Sequence, residues 1–345
     1  MKRSNETIFL DRCRFVYPSY TSPPLENVSI CIEDRCARTV SSGDGCRGGI
    51  VIDCSSSFVT PCLYNAFYIL ETPLYSYDTT CREADAECFM KRNISSALTR
   101  KLAELLVLEA LLSGTCGVAV LTIQSNNIED AYEVLNTSGL RFRLGPMVNT
   151  SVDSPEILRV IELTRKAGDH GVFALDARAE IPNEIIVELV EEAYKVGIPV
   201  YVRASYDRGD VFKHKKLYGV FPIERLAQLK LLDKIHALAG LSWVTSWELE
   251  KIGSYNVRVI MCPSMYVSEA SGSVFPLKAA QSKGIDLGMG SCTCHASSVD
   301  VVTEIRRAYD ILRITFWDRR ITLRELLDIA SRGSAKVMKI HGDMY

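Results

Sequence analysis

The sequence has no apolar run long enough to cross a membrane and almost no imbalance of charge. Its 345 residues include 40 basic and 42 acidic side chains, which gives a net charge of −2. Nothing in that balance favours nucleic acid or an anionic membrane as a partner. The N-terminus has basic residues but no following apolar segment, which is not typical of a signal peptide. We therefore expect a cytoplasmic protein that binds neither nucleic acid nor membranes.

The twelve cysteines contain no CxxC pair, and this absence argues against a zinc knuckle or a thioredoxin-type redox centre. Two interpretations stay open, namely intracellular disulfides of the kind found in hyperthermophiles and buried free thiols that pack as small hydrophobic groups. We expect at least one disulfide among the cysteines that precede residue 89, with a connectivity that the spacing leaves open. These are Cys13, Cys31, Cys36, Cys46, Cys54, Cys62, Cys81 and Cys88.

The residue pattern divides the chain near residue 58. Residues 1–58 contain short stretches rich in β-branched and aromatic residues, separated by turn residues, and are predicted to form a small β-sandwich. Residues 59–345 alternate short apolar stretches with amphipathic helical patterns, clearest at 95–112, 154–167, 183–196 and 300–313. Repeated strand–helix units predict a parallel sheet, and their number favours closure into a barrel.

Several segments of the second part resemble the amidohydrolase superfamily, in the branch of cytosine, guanine and S-adenosylhomocysteine deaminases and triazine chlorohydrolases. ALLSGTCGVAVL (110–121) resembles that branch's "LxSGTTTVVD" segment, and residues 259–291 are similar to "HCPxSNxxLxSGxxPVxxLxxAGVxVxLGTDG". Residues 139–150 and 235–252 resemble its third and sixth barrel strands. The resemblance implies an α/β fold with a (β/α)8 TIM-like barrel, whose active residues lie where strands end.

Members of this branch hold one divalent metal through four ligands, and the resemblance places all four positions in this sequence. Phe67 and Ile69 replace the two histidines after strand one, Arg203 replaces the histidine that ends strand five, and Gly290 replaces the aspartate after strand eight. Zinc and iron need imidazole, thiolate or carboxylate ligands, and none of these side chains provides one. The resemblance therefore implies a degenerate metal site, no cofactor and a catalytically inactive protein with a binding or structural role.

Other side chains of the family site are also replaced. Tyr206 stands where the family has its proton-shuttling glutamate, whereas His236 is the one survivor, expected at the end of strand six. A concave mouth with one fixed cation would suit a small anionic or aromatic ligand. Alternatively, bulky side chains fill the space that metal and water leave. The candidate ligand-binding residues are Phe67, Tyr68, Ile69, Tyr201, Arg203, Tyr206, Asp176 and His236.

The guanidinium of Arg203 needs an anion, because leaving it unpaired inside the barrel would cost several kcal/mol. Asp176 is expected at the end of the neighbouring strand four. We predict a bidentate ion pair between the two side chains. The alternative is that Arg203 faces an open pocket and holds an anionic ligand while Asp176 turns to solvent.

Two catalytic alternatives stay open. Cys292, Cys294 and His295 follow strand eight with a CxCH spacing that could hold Zn²⁺. A cysteine of this segment could instead act as a nucleophile with His295 or His236 as its base. In either case the chain would be a hydrolase of non-peptide carbon–nitrogen bonds, of the deaminase type, with an atypical or metal-independent site.

The sequence does not continue into the family's "GxIxxGKxADLVVxD" segment, which completes the N-terminal sandwich in the family. We expect a C-terminally truncated sandwich with uncovered strand edges. Uncovered edges pair with other chains, so we expect a homo-oligomer such as a dimer.

Because all four ligand positions hold residues without a suitable donor atom, the purified protein should contain well under one equivalent of zinc, iron or manganese. Elemental analysis after dialysis against a chelator measures this. Stoichiometric zinc that survives the dialysis would contradict the prediction.

Overall fold

The computed structural model describes residues 7–33, 36–40, 49–76, 94–123, 128–149, 154–292 and 298–340. The chain divides into two compact units with a boundary between Cys62 and Leu63, and the second unit ends at Lys339. The predicted boundary at residue 58 falls slightly before the observed one.

The first unit is built around one small mixed sheet. β1 pairs with β2 in antiparallel fashion and with β4 and β5 in parallel fashion, and β2 pairs with β3. A sandwich has two facing sheets, whereas the described residues of this unit form one, which buries a minor core of Cys13, Val16, Ile30 and Cys54. The strands are β1 (Ile8–Val16), β2 (Leu25–Glu33), β3 (Cys36–Val40), β4 (Ile50–Asp53) and β5 (Phe58–Val59).

The first unit contains both a disulfide-bonded cysteine and buried free thiols, the two kinds expected from the sequence. Cys31 is disulfide-bonded, which confirms that at least one disulfide involves the N-terminal cysteines. Cys13 and Cys54 are free and buried. Burial and the neighbouring Cys54 thiol raise the pKa of Cys13 to about 11, so Cys13 packs as a neutral thiol. Cys46, Cys81 and Cys88 lie outside the described residues.

The second unit is a parallel eight-stranded sheet whose strands neighbour one another in chain order, as a TIM-like barrel requires. Its ends meet where the backbone N–H groups of Ser291 and Cys292 donate to the carbonyl of Phe67, at 2.9 and 3.1 Å. The predicted fold class is confirmed. The strands are β6 (Leu63–Ile69), β7 (Thr115–Thr122), β8 (Arg141–Val148), β9 (Phe173–Asp176), β10 (Val200–Ala204), β11 (Ala237–Gly240), β12 (Arg258–Met261) and β13 (Leu287–Met289).

Helices connect these strands, and the four predicted from amphipathic patterns are all present. Side-chain caps define several starts, such as Ser95, whose hydroxyl accepts from the Leu98 N–H, and Thr245, which forms a capping box with Glu248. The helices are α1 (Thr72–Ser76), α2 (Ser96–Ser113), α3 (Ile128–Ser138), α4 (Ser154–Lys166), α5 (Asn183–Lys195), α6 (Arg208–Tyr218), α7 (Pro222–Gln228), α8 (Ser246–Ser254), α9 (Pro263–Ser268), α10 (Leu277–Ser282), α11 (Val301–Phe316), α12 (Leu323–Asp328) and α13 (Ser334–Val337). A π-helical turn, Ile329–Gly333, joins the last two.

Within the described ranges, no helix has the length and hydropathy that a membrane span requires. The expectation of an oligomer stays a prediction. One feature of the first unit agrees with it, because β4 pairs with β1 and leaves Ile50, Val51 and Ile52 exposed. Exposed apolar side chains on a strand of this kind favour contact with another surface.

Gly145 in β8 packs directly against the backbone of the next connection, because a Cβ added there would lie 1.5 Å from the carbonyl oxygen of Val172. We predict that Gly145→Ala lowers the free energy of unfolding by at least about 2 kcal/mol, since the strand must move to admit the methyl group. Chemical denaturation measures the change. Gly209→Ala is the control, because its Cβ would meet only the Asp207 carboxylate end at 3.2 Å, and a change within about 0.5 kcal/mol is expected there. Equal effects at both positions would contradict the prediction.

Candidate functional site

The mouth of the barrel contains a buried ion pair between the ends of two adjacent strands. The register of β9 and β10 places Asp176 beside Arg203, and Nη2 of Arg203 lies 2.6 Å from Oδ2 of Asp176. The predicted pair is confirmed, but its bidentate form is wrong. Nη1 of Arg203 donates to the carbonyl of Cys292 at 3.0 Å, so one edge of the guanidinium is directed elsewhere. Oδ1 of Asp176 is left without a hydrogen-bond partner among the described residues.

Tyr206 completes this arrangement from the loop after β10. Its hydroxyl donates to Oδ2 of Asp176 at 2.9 Å and accepts from Nη1 of Arg178 at 3.2 Å. The guanidinium carbon of Arg203 lies 4.5 Å from the centroid of the Tyr206 ring, a cation–π distance. We call Asp176, Arg203 and Tyr206 the mouth network.

The electrostatics of the mouth network keep Arg203 charged and Tyr206 neutral. Burial opposes the charge of Arg203, but the Asp176 carboxylate outweighs it and raises the pKa of Arg203 well above its usual value. Burial raises the pKa of Tyr206, and the Asp176 carboxylate adds to the increase. The side chains of Arg203 and Asp176 are 12% and 1% exposed. The alternative of an open Arg203 with Asp176 in solvent is therefore wrong.

The positions expected to hold a metal do lie together, but their side chains do not fit one. Phe67 and Ile69 are fully buried, and a Cβ added to Gly290 would lie 2.7 Å from the backbone nitrogen of Phe67. The side chains of Phe67 and Ile69 have no donor atom, Gly290 has no side chain, and the guanidinium of Arg203 is cationic. In the described part of the chain, no three His, Cys, Asp or Glu residues are grouped so that they could hold a metal ion. Cys294 and His295 lie outside the described residues.

His236 does not lie at the mouth, which corrects the sequence-based expectation. β11 begins one residue after His236 and ends at Gly240, so a glycine occupies the end of strand six. At about 3.3 Å per residue the imidazole is roughly 13 Å from that end. Its Nε2 is 2.7 Å from the carbonyl oxygen of Val337, and burial lowers the pKa of His236 to about 4. The pairing of Cys292 with His236 as nucleophile and base is thereby excluded.

Two aromatic residues expected at the mouth lie elsewhere. Tyr201 lies near the start of β10, where its hydroxyl donates to the carbonyl of Val337 at 3.1 Å and its ring stacks between Phe67 and His236. Tyr68 packs in the layer between strands and helices, in a cluster with Leu102 and Leu106. Successive side chains of a strand point to opposite faces of the sheet. The side chain of Tyr68 therefore lies on the opposite face from that of its neighbour Phe67.

Sequence reasoning missed two contacts that hold the mouth together. Nδ2 of Asn65 donates to Oγ of Ser291 at 2.7 Å, and Oδ1 of Asn65 accepts from the Phe67 N–H. The fully buried thiol of Cys262 donates to the carbonyl of Ile260 at 3.4 Å, and burial followed by the neighbouring Cys292 thiol raises the pKa of Cys262 well above its usual value. Asn65 lies in β6 two residues before Phe67, and this closeness to an expected ligand position was the available signal. Nothing in the spacing of Cys262 and Cys292 indicated their contact.

Comparison with known proteins agrees with this architecture. No family model matches the chain. It is 22% identical to a 5-methylthioadenosine/S-adenosylhomocysteine deaminase of Halobacterium salinarum, over 94% of this chain and 78% of that protein. It is 26% identical to the deaminase of the same name from Pyrococcus furiosus, over 90% of this chain and 77% of that protein. Among solved structures, an adenosine deaminase from Xanthomonas campestris with bound zinc superposes with a TM-score of 0.80 at 18% identity, covering 96% of this chain and 80% of that one.

We predict that Asp176→Asn lowers the free energy of unfolding by about 3 kcal/mol, because it leaves the buried Arg203 without its counter-charge. Thermal and chemical denaturation measure this loss. Glu104→Gln is the matched control, since it breaks an exposed pair with Lys101 and should cost less than about 0.5 kcal/mol.

Adding Arg203→Met to Asp176→Asn separates charge from packing. Removal of the uncompensated cation should restore part of the lost stability, as a buried pair replaced on both sides often does. A double variant that is less stable than Asp176→Asn alone would contradict the electrostatic explanation.

Proposed function

Because this chain is related to the amidohydrolase superfamily in sequence and in fold, we propose that it is a member in which the mouth network replaces metal-dependent hydrolysis. In this proposal the barrel mouth has a binding or structural role and does not activate water on a metal. The observation that carries the proposal is the ion pair at 2.6 Å between Arg203 and Asp176, at the strand ends where the family has its ligand histidine and a neighbouring histidine.

The packing around the mouth network supports this proposal. Phe67 and Ile69 are fully buried, and the carbonyl of Cys292 accepts from Arg203. Gly290 has no room for a side chain beside Phe67. A metal-binding carboxylate at position 290 would therefore require the backbone of two strands to separate. Since function depends on the site and not on the barrel, the activity of the relatives does not transfer with the fold.

The second candidate is a hydrolase of non-peptide carbon–nitrogen bonds with a metal-independent site. The extent of the similarity favours it, because two relatives that match 94% and 90% of this chain are named as deaminases. The groups available for such chemistry at the mouth are the carboxylate of Asp176 and the thiol of Cys292. Cys292 is buried, so a substrate could reach its thiol only after a local rearrangement.

Ammonia release from 5-methylthioadenosine and from S-adenosylhomocysteine tests the two candidates. The Pyrococcus furiosus relative serves as positive control, and each reaction is run with added zinc and with chelator. We expect the present chain to release no ammonia above the buffer rate in either condition. Turnover that requires zinc would overturn the proposal.

Turnover that persists in chelator would favour the second candidate. In that case Asp176→Asn and Cys292→Ser identify the group responsible, and Cys116→Ser is a control at a cysteine away from the mouth. Loss of turnover in either mouth variant, with retention in the control, would establish a metal-independent site.

A further inference from the structure

Positive charge collects at the end of the barrel opposite the mouth network. Arg143 lies near the start of β8, Arg258 begins β12, and Arg165 lies in the last turn of α4. A cavity of about 330 Å³ opens here, lined by Arg143, Arg165 and Lys339 and by a single carboxylate residue, Asp169. The rest of its wall is formed by Gly168, Gly171 and residues 196–199. We call this the basal cavity.

Among the cations around the basal cavity, Arg143 has carbonyl groups as partners instead of a carboxylate. Arg143 donates to the carbonyls of Met338 at 2.6 Å and Lys339 at 3.0 Å, and also to that of Asp169. The buried Nε of Arg258 has no hydrogen-bond partner among the described residues. Over the described ranges, no carboxylate forms an ion pair with Arg143, Arg165, Arg258 or Lys339. The cavity therefore has an excess of positive charge.

The excess of positive charge lowers the pKa values of two groups near the basal cavity. Burial lowers the pKa of Lys339, and the charges of Arg143 and Arg258 lower it further. The same two arginines and Lys339 add to the lowering of the pKa of His236. Clustered cations of this kind are unfavourable in a partly buried site unless an anion accompanies them.

Capping of the last helix explains part of the cluster but not all of it. The carbonyl of Val337, at the C-terminus of α13, accepts from Tyr201 and is within hydrogen-bond distance of His236. Cationic donors at a helix C-terminus are stabilising, and Arg143 has this role for the next two carbonyls. The side chains of Arg165 and Lys339 make no such contact, although both line the cavity. They are exposed and free to meet a ligand.

We propose that the basal cavity binds a small ligand through a dianionic group of the phosphate type, held by Arg165, Arg143 and Lys339. Guanidinium groups match the oxygen geometry of such anions, and an ammonium adds a point charge. A volume of about 330 Å³ is within the range of small-molecule sites. The site lies at the other end of the strands from Arg203, so it does not depend on the function proposed for the mouth.

Calorimetric titration with inorganic phosphate, in chloride buffer of constant ionic strength at pH 7.5, tests this proposal on the full chain. We expect saturable binding to the unmodified protein. Arg165→Gln and Lys339→Gln should each weaken it by about tenfold or more, because each removes a charge-assisted contact. Arg324→Gln should leave it unchanged, since Arg324 is an exposed cation near the far end of the helical segment Leu323–Val337.

Both test residues are exposed, so their variants should keep the stability of the parent, and denaturation checks this directly. Absence of saturable phosphate binding to the folded parent would overturn the proposal. It would also be overturned if Arg165→Gln and Lys339→Gln bound phosphate as tightly as Arg324→Gln does, because that result would mean that phosphate binds elsewhere on the surface.

Discussion

The pairing of Arg203 with Asp176 is the constraint on which the upper part of the barrel depends. A guanidinium that is almost fully enclosed is tolerated only with a counter-charge, and hydrogen-bond acceptors stabilise it further. Asp176 supplies the charge, Tyr206 adds its hydroxyl and ring, and the carbonyl of Cys292 accepts the other nitrogen. Because these partners come from β9, from the loop after β10 and from the segment after β13, one cation links three separate parts of the chain.

The buried cations at the two ends of the barrel have different kinds of partner. At the mouth, the charge of Arg203 is matched by a buried carboxylate. At the base, Arg143 is matched by the carbonyl oxygens of Met338 and Lys339, which carry only partial negative charge. Carbonyl dipoles stabilise a cation less than a carboxylate does. The base therefore keeps a positive potential that the mouth does not have.

Much of this fold could be predicted from sequence because its main determinant is local. Alternating apolar strands and amphipathic helices require only periodicity, and the pair at Arg203 required only that neighbouring parallel strands end together. The position of His236 along its strand could not be predicted in this way. The strand beside it has four residues, and a short apolar stretch does not indicate which of its residues comes last. An error of four positions moved the imidazole from one end of the barrel to the other.

The basal cluster could not have been predicted for a different reason. Arg143, Arg258 and Lys339 are far apart in sequence, and each is an ordinary surface-type residue in its own segment. Their proximity depends on where the last helix ends, because its free carbonyls accept hydrogen bonds from donors of strands three and five. Only the folded chain contains that information.

The backbone around position 290 opposes a metal-binding carboxylate there, independently of the side chains nearby. If only the side chains opposed a metal ion, replacing them with four donor residues would be enough to build a metal site. The space at position 290 shows otherwise, because a Cβ there would lie 2.7 Å from the nitrogen of Phe67 and 2.9 Å from its Cβ. Moreover, the carbonyl of Phe67 already binds the N–H groups of Ser291 and Cys292. A metal-binding carboxylate at position 290 would therefore have to separate strands one and eight against these hydrogen bonds.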